Sequence, residues 1–410
     1  MTDQRTKAGE RTLASDLEDA ARIGGLPDGG VSRFAFTPEL AEVTAWVSEE
    51  LERLGLEPET DAAGNFFARW PAGEGKPVLA ASHLDTVPHG GHFDGVLGVL
   101  TAVDAVRQLR AEGFEPARPI VVGAFMDEEG PRFGNGLFGS RAFVGDDMSV
   151  ALANRDADGV SAADAMRAVG LDPDRIGEAN RVADVGAYVE LHIEQGPVLD
   201  QRGLRLGVVD TITGIYGYRA ELRGETNHAG TTPMELRQDA LVGAARVVLE
   251  LRERARADDR LRATVGRLEA LPGAKNIVPG GCEFTVDLRP ADPDQFEPAD
   301  AWLRATLDRI AAEEGLSASL HVDYAVPAVP MDPAVVAAIE DAAREQGVEP
   351  LRMFSGAGHD AMLVAPYVPA GMIFVPSRRG ISHSPEEWTD VADCELGARV
   401  LAGTLRRLAS

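Results

Sequence analysis

The sequence predicts an α/β protein in which a mostly parallel sheet flanked by helices carries an inserted ferredoxin-like α+β domain. Two observations predict this fold. Short, wholly apolar runs that end in polar residues recur along the chain, and near residue 214 the pattern changes to strands of alternating polarity. A chain of 410 residues also has room for two domains, at roughly 100–200 residues each. We therefore predict one domain in two segments, 1–213 and 328–410, around an inserted domain at 214–327.

The first segment begins with a helical pattern that extends to about residue 75, including a helix that starts at Thr37 and Pro38. Four apolar runs follow: PVLAASHLD, PIVVGAFMDEEG, GAYVELHIEQG and, late in the chain, GMIFVPSRRGISH. Such runs are typical of strands buried on both faces. FDGVLGVLTAVDAVRQLRAEG, between the first two, has helical spacing and ends at Gly113. A strand, a helix and a strand in this order predict a right-handed βαβ crossover in a parallel sheet.

The inserted domain is predicted from the alternation that starts near Thr213. GYRAELRGE indicates a strand and PMELRQDALVGAARVVLELRERAR a helix. RATVGRLEAL and GCEFTVDLRP indicate two strands, PDQFEPADAWLRATLDRIAAEEG a second helix, and SASLHVDYAV a last strand. The order βαββαβ is the ferredoxin-like pattern.

Composition excludes several classes of partner. Sixty-six acidic residues against forty basic ones give a formal charge of −26, which repels nucleic acid and anionic membranes. Cys282 and Cys394 form no CxxC pattern, so neither a disulfide framework nor a thiolate zinc site is expected. No stretch approaches the length of apolar sequence that spans a bilayer. We expect a cytoplasmic protein whose partner is a small molecule, not a nucleic acid or a membrane.

Polar residues that follow the buried runs predict a metal site, because ligands of open α/β sheets bind beyond the carboxyl ends of the strands. Three adjacent acids after an apolar strand repel one another unless a cation or protons compensate them. Imidazoles and carboxylates together suit a divalent metal such as zinc. The residues at these positions are Ser82-His83-Leu84-Asp85, Asp127-Glu128-Glu129, His192-Ile193-Glu194-Gln195 and His383, with Asp94 opening the first crossover helix.

Eight motifs in order, between about residues 80 and 387, carry a resemblance to a known family. They are SHLDTVPHGGHFDGVLGV, DEEGPRFG, ELHIEQGPVLD, TNHAGTTPM, KNIVPG, VDLRP, SGAGHDAM and GISHSPEE. The sequence resembles the dinuclear-metal amidohydrolases that include N-carbamoyl-L-amino-acid hydrolases, β-ureidopropionases and allantoate amidohydrolases, in the zinc-dependent exopeptidase-like superfamily. The resemblance implies that 214–327 is a lid and dimerisation domain and that the other two segments form the catalytic domain.

The resemblance implies two divalent ions per subunit, either zinc or manganese, cobalt or nickel. The implied ligands are His83, Asp94 and His192 for one ion and Asp94, Glu129 and His383 for the other, so that Asp94 bridges both. Asp85 corresponds to an acid that orients the His83 imidazole, and Glu128 to the general base acting on a metal-bridging water. Some relatives use a carboxylate as the third ligand of one metal, which leaves Glu190 and Glu194 as alternatives to His192.

The substrate residues also follow from the resemblance. Gln195 and His359 are similar to residues that line the pocket and contact the substrate amide. His228 corresponds to a residue that stabilises the oxyanion, and Asn276 and Arg289 to residues that hold the substrate carboxylate. In the family these last three reach the neighbouring subunit's site, which implies a homodimer.

The implied activity is hydrolysis of the carbamoyl C–N bond of N-carbamoyl-L-amino acids. Allantoate amidohydrolase and β-ureidopropionase activities stay open, because the motifs are shared among these hydrolases. A peptidase or N-acyl-amino-acid hydrolase of the wider superfamily is a further alternative, and a non-catalytic dimeric binding protein of the same fold is a distant one. The sequence contains no GxSxG motif, which argues against a serine nucleophile.

Overall fold

The structure is a computed structural model that describes residues 11–410, so the first ten residues of the predicted segment 1–213 lie outside the described residues. The helices are α1 (Leu13–Arg22), α2 (Pro38–Arg53), α3 (Val96–Ala111), α4 (Phe138–Val144), α5 (Ser149–Ala153), α6 (Ala162–Ala168), α7 (Val198–Arg202), α8 (Ala240–Arg256), α9 (Phe296–Glu314), α10 (Pro333–Glu345), α11 (Asp360–Val364) and α12 (Val391–Leu408). The strands are β1 (Glu57–Thr60), β2 (Phe66–Trp70), β3 (Val78–His83), β4 (Ile120–Phe125), β5 (Ala187–Ile193), β6 (Gly207–Ile212), β7 (Ile215–Arg223), β8 (Asn227–His228), β9 (Leu261–Thr264), β10 (Leu268–Leu271), β11 (Ile277–Val278), β12 (Gly281–Pro290), β13 (Ser317–Val326), β14 (Val329–Pro330), β15 (Leu351–Ser355) and β16 (Ala370–Val375). None of the helices within 11–410 combines the length and the apolar character needed to cross a bilayer.

The chain divides into two compact units. The first unit ends at Asp210 and resumes with Met331–Met353 and Gly358–Ser410. The second unit comprises Thr211–Pro330 and Phe354–Ala357. The predicted domain limits lie close to these divisions, and the role of the inserted region as a lid stays a prediction.

The first unit is built on a sheet with the strand order β1-β2-β4-β3-β5-β16-β6. The four central strands β4, β3, β5 and β16 run parallel, whereas the pairs toward both edges are antiparallel. Every residue of β3, β5 and β16 is buried, as expected for parallel strands covered on both faces. The predicted α/β class with a mainly parallel central sheet is confirmed.

The crossover helix α3 connects β3 to β4, as the sequence predicts. Its apolar residues are buried around most of its circumference, because it packs against β3 and β5 on one side and α12 on the other. α12 in turn contacts α10, which packs on β16. These helices fix the strands whose ends carry the candidate site.

The region before residue 75 is not wholly helical, and this prediction is wrong for residues 57–70. β1 and β2 form an antiparallel hairpin there, and β2 pairs with β4. β1 consists of EPET and is largely exposed, so it has no apolar run that would indicate a strand. The pairing with β2, and not the residue composition of β1, stabilises this strand.

The second unit contains an antiparallel sheet in the order β10-β12-β7-β13, and β9 also pairs with β12. α8 and α9 contact each other and the sheet, and they enclose a core of their own that includes Leu222, Val247, Phe284 and Leu307. α8 begins at Ala240 instead of Pro233, because Met234–Leu236 forms a separate 3₁₀ turn and Asp239 caps the helix.

Candidate metal centre

The carboxyl ends of the four parallel strands bring the predicted ligands to one edge of the sheet. His83 is the last residue of β3, and His192 lies in β5 next to Phe374 of β16. Glu129 follows β4, and His383 follows β16 after a short turn. His83 and His192 are buried, whereas the side chain of His383 is 49% exposed. The cluster therefore has a closed side and an open side.

Asp94 lies at the centre of this cluster, and its two carboxylate oxygens face different imidazoles. Oδ1 is 3.1 Å from Nε2 of His192 and 3.8 Å from Nε2 of His83. Oδ2 is 3.2 Å from Nε2 of His383. Oδ1 itself is buried. A carboxylate that divides its oxygens in this way has the arrangement of a bridging ligand.

Four groups of side chains place potential ligand atoms within 4.8 Å of one another. Two of them coincide with the two predicted ligand sets and share Asp94. The groups are His83-Asp94-His192, Asp94-Glu129-His383, His83-Glu128-Glu129 and Glu190-His192-His359. Imidazole nitrogens with carboxylate oxygens suit zinc and similar divalent ions, so the donor set fits the predicted metals. The assignment of individual ligands stays a prediction.

The alternative carboxylates are engaged elsewhere. Glu194 accepts hydrogen bonds from the main-chain N–H groups of Val198 and Leu199 at 2.7 and 2.8 Å. Glu190 accepts from the Tyr188 hydroxyl at 2.9 Å, among other donors. These contacts favour His192 over both acids as a ligand.

The imidazoles and Asp94 stabilise each other's charged forms. Burial lowers the pKa of His192, but its hydrogen bond to Asp94 outweighs burial and raises the pKa to about 9. Hydrogen bonds to Asp94 and Glu129 raise the pKa of His383 to about 10. Burial also opposes ionisation of Asp94, yet hydrogen bonds from both histidines hold its pKa well below the usual range. The Asp94 carboxylate thus favours the protonated forms of His192 and His383, as a negative charge beside an imidazole does.

Glu128 lies among acids that destabilise its charged form. Burial raises the pKa of Glu128 well above its usual range, and repulsion by Asp360 and then Glu129 raises it further. Its Oε2 lies 3.8 Å from Nε2 of His83. A divalent cation beside it would reverse this effect, because a nearby positive charge favours carboxylate over carboxylic acid.

Asp85 connects the loop after β3 with the loop after β4. Its carboxylate accepts the main-chain N–H groups of Glu128 at 3.2 Å and Glu129 at 3.0 Å. Nδ1 of His83 lies 3.1 Å from the main-chain oxygen of Asp85 and 3.7 Å from its carboxylate. The main-chain oxygen of Asp85 therefore contacts His83, while its carboxylate holds the main chain of the two glutamates; its role in orienting the imidazole stays a prediction.

Several residues at the strand ends have left-handed backbone conformations, which are uncommon for residues other than glycine. Asp127 and Gln195 both have φ 57°, and His383 has φ 56°. Nε2 of Gln195 donates to Oδ2 of Asp94 at 2.9 Å. Such conformations concentrate at functional sites, where the surroundings hold them in place.

Gly95 allows His83 to approach the start of α3. Gly95 has φ 67°, and a Cβ atom there would lie 2.2 Å from Cε1 of the His83 ring. Any larger residue would displace the imidazole, so glycine is required next to Asp94.

The other predicted substrate residues are divided between the two units. His359 is buried at the start of α11, and its ring centroid is 4.5 Å from that of His192. His228 and Asn276 are exposed in the second unit, near the pairing of β8 with β11. Arg289, also in the second unit, donates to Asp287 at 2.8 Å and to the main-chain oxygen of Gly356 at 2.7 Å. The role of the last three in a neighbouring subunit stays a prediction.

Residues 79–407 match Peptidase family M20/M25/M40. The chain belongs to this family. It is 41% identical over 404 residues to an N-carbamoyl-L-amino acid amidohydrolase of Geobacillus stearothermophilus, with 98% of both chains covered. It is 37% identical over 405 residues to an allantoate amidohydrolase of Bacillus subtilis, again with 98% of both chains covered. A crystal structure of a hydantoinase/carbamoylase family amidase from Burkholderia ambifaria is similar with a TM-score of 0.89 and 36% identity, covering 97% of this chain and 95% of that one.

Membership of the M20/M25/M40 family confirms the resemblance stated from the motifs. The family consists of metal-dependent hydrolases, so this chain is a metal-dependent hydrolase as predicted.

The sequence analysis did not identify Glu387 and Ser382, which support the cluster, and it considered Glu190 only as an alternative ligand. Glu387 and Ser382 both contact the Asp94 segment, and Glu190 contacts the start of α11 through the N–H of Ala361. Glu387 and Ser382 lie inside the GISHSPEE motif, in which only His383 is a residue type that typically binds zinc through nitrogen. Glu190 is an acid within a wholly buried strand, which is unusual for a residue that is not paired.

Proposed function

We propose that the protein hydrolyses the carbamoyl C–N bond of N-carbamoyl-L-amino acids. The observation that carries the proposal is the division of the Asp94 oxygens between the His83 and His192 imidazoles and the His383 imidazole. That arrangement suits a dinuclear hydrolase. The 41% identity to a full-length relative named for this reaction supports the substrate class.

We further propose that each subunit holds two divalent ions, zinc or else manganese, cobalt or nickel. The proposed ligands are His83, Asp94 and His192 for one ion and Asp94, Glu129 and His383 for the other. Two such ions would lower the pKa of a water and polarise the scissile carbonyl. The buried oxygens Oδ1 of Asp94 and Oε1 of Glu129 support this assignment, because each faces an imidazole nitrogen, of His192 at 3.1 Å and of His383 at 3.3 Å, and such nitrogen–oxygen sets suit a divalent ion.

The proposed general base is Glu128. It is adjacent to Glu129 but outside both proposed ligand sets, and its backbone is held by Asp85. A buried carboxylate in this position accepts the proton from the attacking water at one oxygen and delivers it to the departing nitrogen. Gln195 and His359 are proposed to contact the substrate amide, which their positions beside Asp94 and His192 support.

The second unit is proposed to be a lid and dimerisation domain in a homodimer. His228 would then stabilise the oxyanion in the neighbouring subunit's site, while Asn276 and Arg289 hold the substrate carboxylate. A cytoplasmic location is proposed from the composition, and the buried free thiols of Cys282 and Cys394 support it.

A second candidate is hydrolysis of allantoate, which the relative in Bacillus subtilis favours. β-Ureidopropionase activity is a third, since N-carbamoyl-β-alanine offers the same ureido group and carboxylate. The experiment that separates them measures initial rates on an N-carbamoyl-L-amino acid series, N-carbamoyl-β-alanine and allantoate, each after reconstitution with zinc, manganese, cobalt or nickel. We expect the highest kcat/KM on an N-carbamoyl-L-amino acid. A higher value on allantoate would replace the proposal by the second candidate.

A further inference from the structure

Glu387 is a buried acid beside the centre, and neither the predicted ligands nor the proposed substrate residues include it. Only 3% of the residue is exposed. None of the basic side chains within residues 11–410 forms an ion pair with it in the structure. Burying a carboxylate without a counter-ion is costly unless hydrogen bonds to main-chain or hydroxyl donors compensate for the lost water.

The donors to Glu387 come from the segment that carries Asp94. Oε1 accepts the main-chain N–H groups of both Phe93 and Asp94, each at 3.0 Å. Gly91 packs directly on the same carboxylate, because a Cβ atom there would lie 2.1 Å from Oε1 and 2.4 Å from Cβ of Glu387. Residues 91–94 therefore wrap around the Glu387 side chain, and the Asp94 main chain cannot shift without breaking these contacts.

The other carboxylate oxygen of Glu387 contacts the segment that carries His383. Oε2 lies 2.9 Å from Oγ of Ser382, which is also 3.0 Å from Oδ2 of Asp94. Because a hydroxyl has one proton, Ser382 donates to only one of these carboxylates at a time. The main-chain N–H of Glu387 donates to the oxygen of Ser384 at 3.0 Å, which closes the turn after His383. One carboxylate thus joins two segments that lie almost three hundred residues apart in the chain.

We propose that Glu387 is a positioning residue that holds the Asp94 segment against the Ser382–His383 turn, so that Asp94 stands between the two ligand groups. This role rests on the proposed dinuclear function. Glu387 itself contacts none of the reacting atoms in this proposal. It acts through Asp94, whose backbone it fixes, and through Ser382, which precedes His383.

The hydrogen-bond geometry predicts how substitutions differ. In Glu387→Gln the amide oxygen still accepts both main-chain N–H groups, and the amide N–H₂ donates to Ser382, which then donates to Asp94. In Glu387→Ala both N–H groups lose their partner and a cavity forms. Gly91→Ala pushes an unchanged Glu387 away, so it disturbs the same contacts from the opposite side. The matched control is Glu386→Ala, which removes an adjacent, exposed acid whose ion pair is with Arg379 at 3.3 Å.

The test measures zinc affinity of the full-length variants by competition with a chelator, together with the melting temperature of the chelator-treated protein and kcat and KM. Loss of a side chain that supports metal ligands typically lowers metal affinity about 10–100-fold, and we expect this for Glu387→Ala and Gly91→Ala. Glu387→Gln should lose less than about tenfold, and Glu386→Ala should match the wild type.

The outcomes separate the positioning role from a purely structural one. A lower melting temperature with unchanged zinc affinity in the folded Glu387→Ala protein would overturn the positioning role. Equal losses in Glu387→Gln and Glu387→Ala would overturn it as well, because the charge would then matter and not the hydrogen bonds. If Glu387→Ala does not fold, Gly91→Ala takes its place in both comparisons. Unchanged zinc affinity in Gly91→Ala, or equal losses of affinity in Gly91→Ala and Glu387→Gln, would then overturn the positioning role. A wild-type protein that takes up no divalent ion would instead overturn the proposed function itself.

Discussion

The candidate residues of the two units differ in how they are held. In the first unit, Asp94, His192 and Glu129 are buried or nearly so, and their neighbours fix them by side-chain and main-chain hydrogen bonds. In the second unit, His228 and Asn276 are exposed; the backbone of His228 pairs with Ile277, and the main-chain oxygen of Asn276 accepts from the N–H of Ala229 at 3.0 Å. The buried set is held by contacts within its own unit, whereas the proposed roles of the exposed set depend on a second surface, that of the neighbouring subunit.

This difference has an energetic basis. Crowded acids in the first unit destabilise one another, so their arrangement persists only because many hydrogen bonds and, on binding, a cation compensate for the repulsion. Exposed polar residues in the second unit cost little to place and contribute little to stability. Substitutions of the proposed ligands in the first unit should therefore affect metal binding, whereas substitutions in the second unit should affect catalysis without metal loss.

The largest expected effect distinguishes the proposed base Glu128 from the proposed ligand Glu129, two adjacent acids of the first unit. Glu128→Gln should retain its metal ions and lose about 10²–10⁴ in kcat, because general acid–base catalysis contributes that much. Glu129→Gln should lose metal affinity together with activity, because the residue is a proposed ligand. Metal analysis and steady-state rates on both variants check this. Full activity of Glu128→Gln would refute the assignment of the base.

The second effect tests whether the exposed histidine acts in a neighbouring subunit. His228→Ala should lose about 10²–10³ in kcat with its metals retained, as expected for removal of one oxyanion donor. When His228→Ala subunits are mixed in equal amounts with inactive Glu128→Gln subunits, half of the dimers contain one subunit of each kind. Each mixed dimer has one site with both an intact Glu128 and an intact histidine from the other subunit, so about a quarter of wild-type activity should return.

Two results of that mixing experiment contradict the arrangement. No recovery after exchange of subunits, shown by a tagged mixed dimer, would mean that His228 acts within its own chain or not at all. A monomeric wild-type protein in solution would remove the premise.

The third effect concerns Arg289, which is half-buried beside Asp287 in the second unit. A hydrogen bond between charged groups contributes about 1.5–3 kcal/mol, so Arg289→Met should raise KM by roughly 10–150-fold. The control is Arg223→Met, which removes an exposed arginine paired with Glu221 at 2.6 Å. Substrate amides without the carboxylate should show no difference between wild type and Arg289→Met. A loss confined to kcat would contradict a role in holding the carboxylate.

The two units also differ in what the sequence could predict. The strands β3, β4, β5 and β16 could be predicted from their apolar runs, because a strand that is buried on both faces has a nearly continuous apolar sequence. β1 was missed because EPET has no apolar pattern and exists as a strand only through its pairing with β2. Long amphipathic helices were predicted well, while the start of α8 depended on the local cap at Asp239.

The candidate site could be predicted only as far as residue type and position after a strand allow. His83, Glu129 and His192 stand where ligands of open α/β sheets collect, so their convergence was expected. Glu387 could not be found in this way, because its contacts reach Asp94 from almost three hundred residues away and depend on the folded turn. Asp85 was predicted as an acid that orients His83, but residue type alone could not show that Nδ1 of His83 lies 3.1 Å from the main-chain oxygen of Asp85 and 3.7 Å from its carboxylate.

The smallest expected effect compares the stability of the two units through matched helix caps. Asp239 accepts main-chain N–H groups at the start of α8 in the second unit, at 3.1 and 3.2 Å. Asp332 does the same for α10 in the first unit, at 2.8 and 3.1 Å. Replacing either by alanine should lower the free energy of unfolding of its own unit by about 1 kcal/mol.

Calorimetry with and without zinc checks whether these two losses are independent. Each unit has its own hydrophobic core, so we expect two transitions, and the proposed ligands all belong to the first unit. Zinc should raise only the transition that Asp332→Ala lowers, since a ligand stabilises the folded state that binds it. A single transition that both variants lower equally, and that zinc raises as a whole, would show that the two units unfold together.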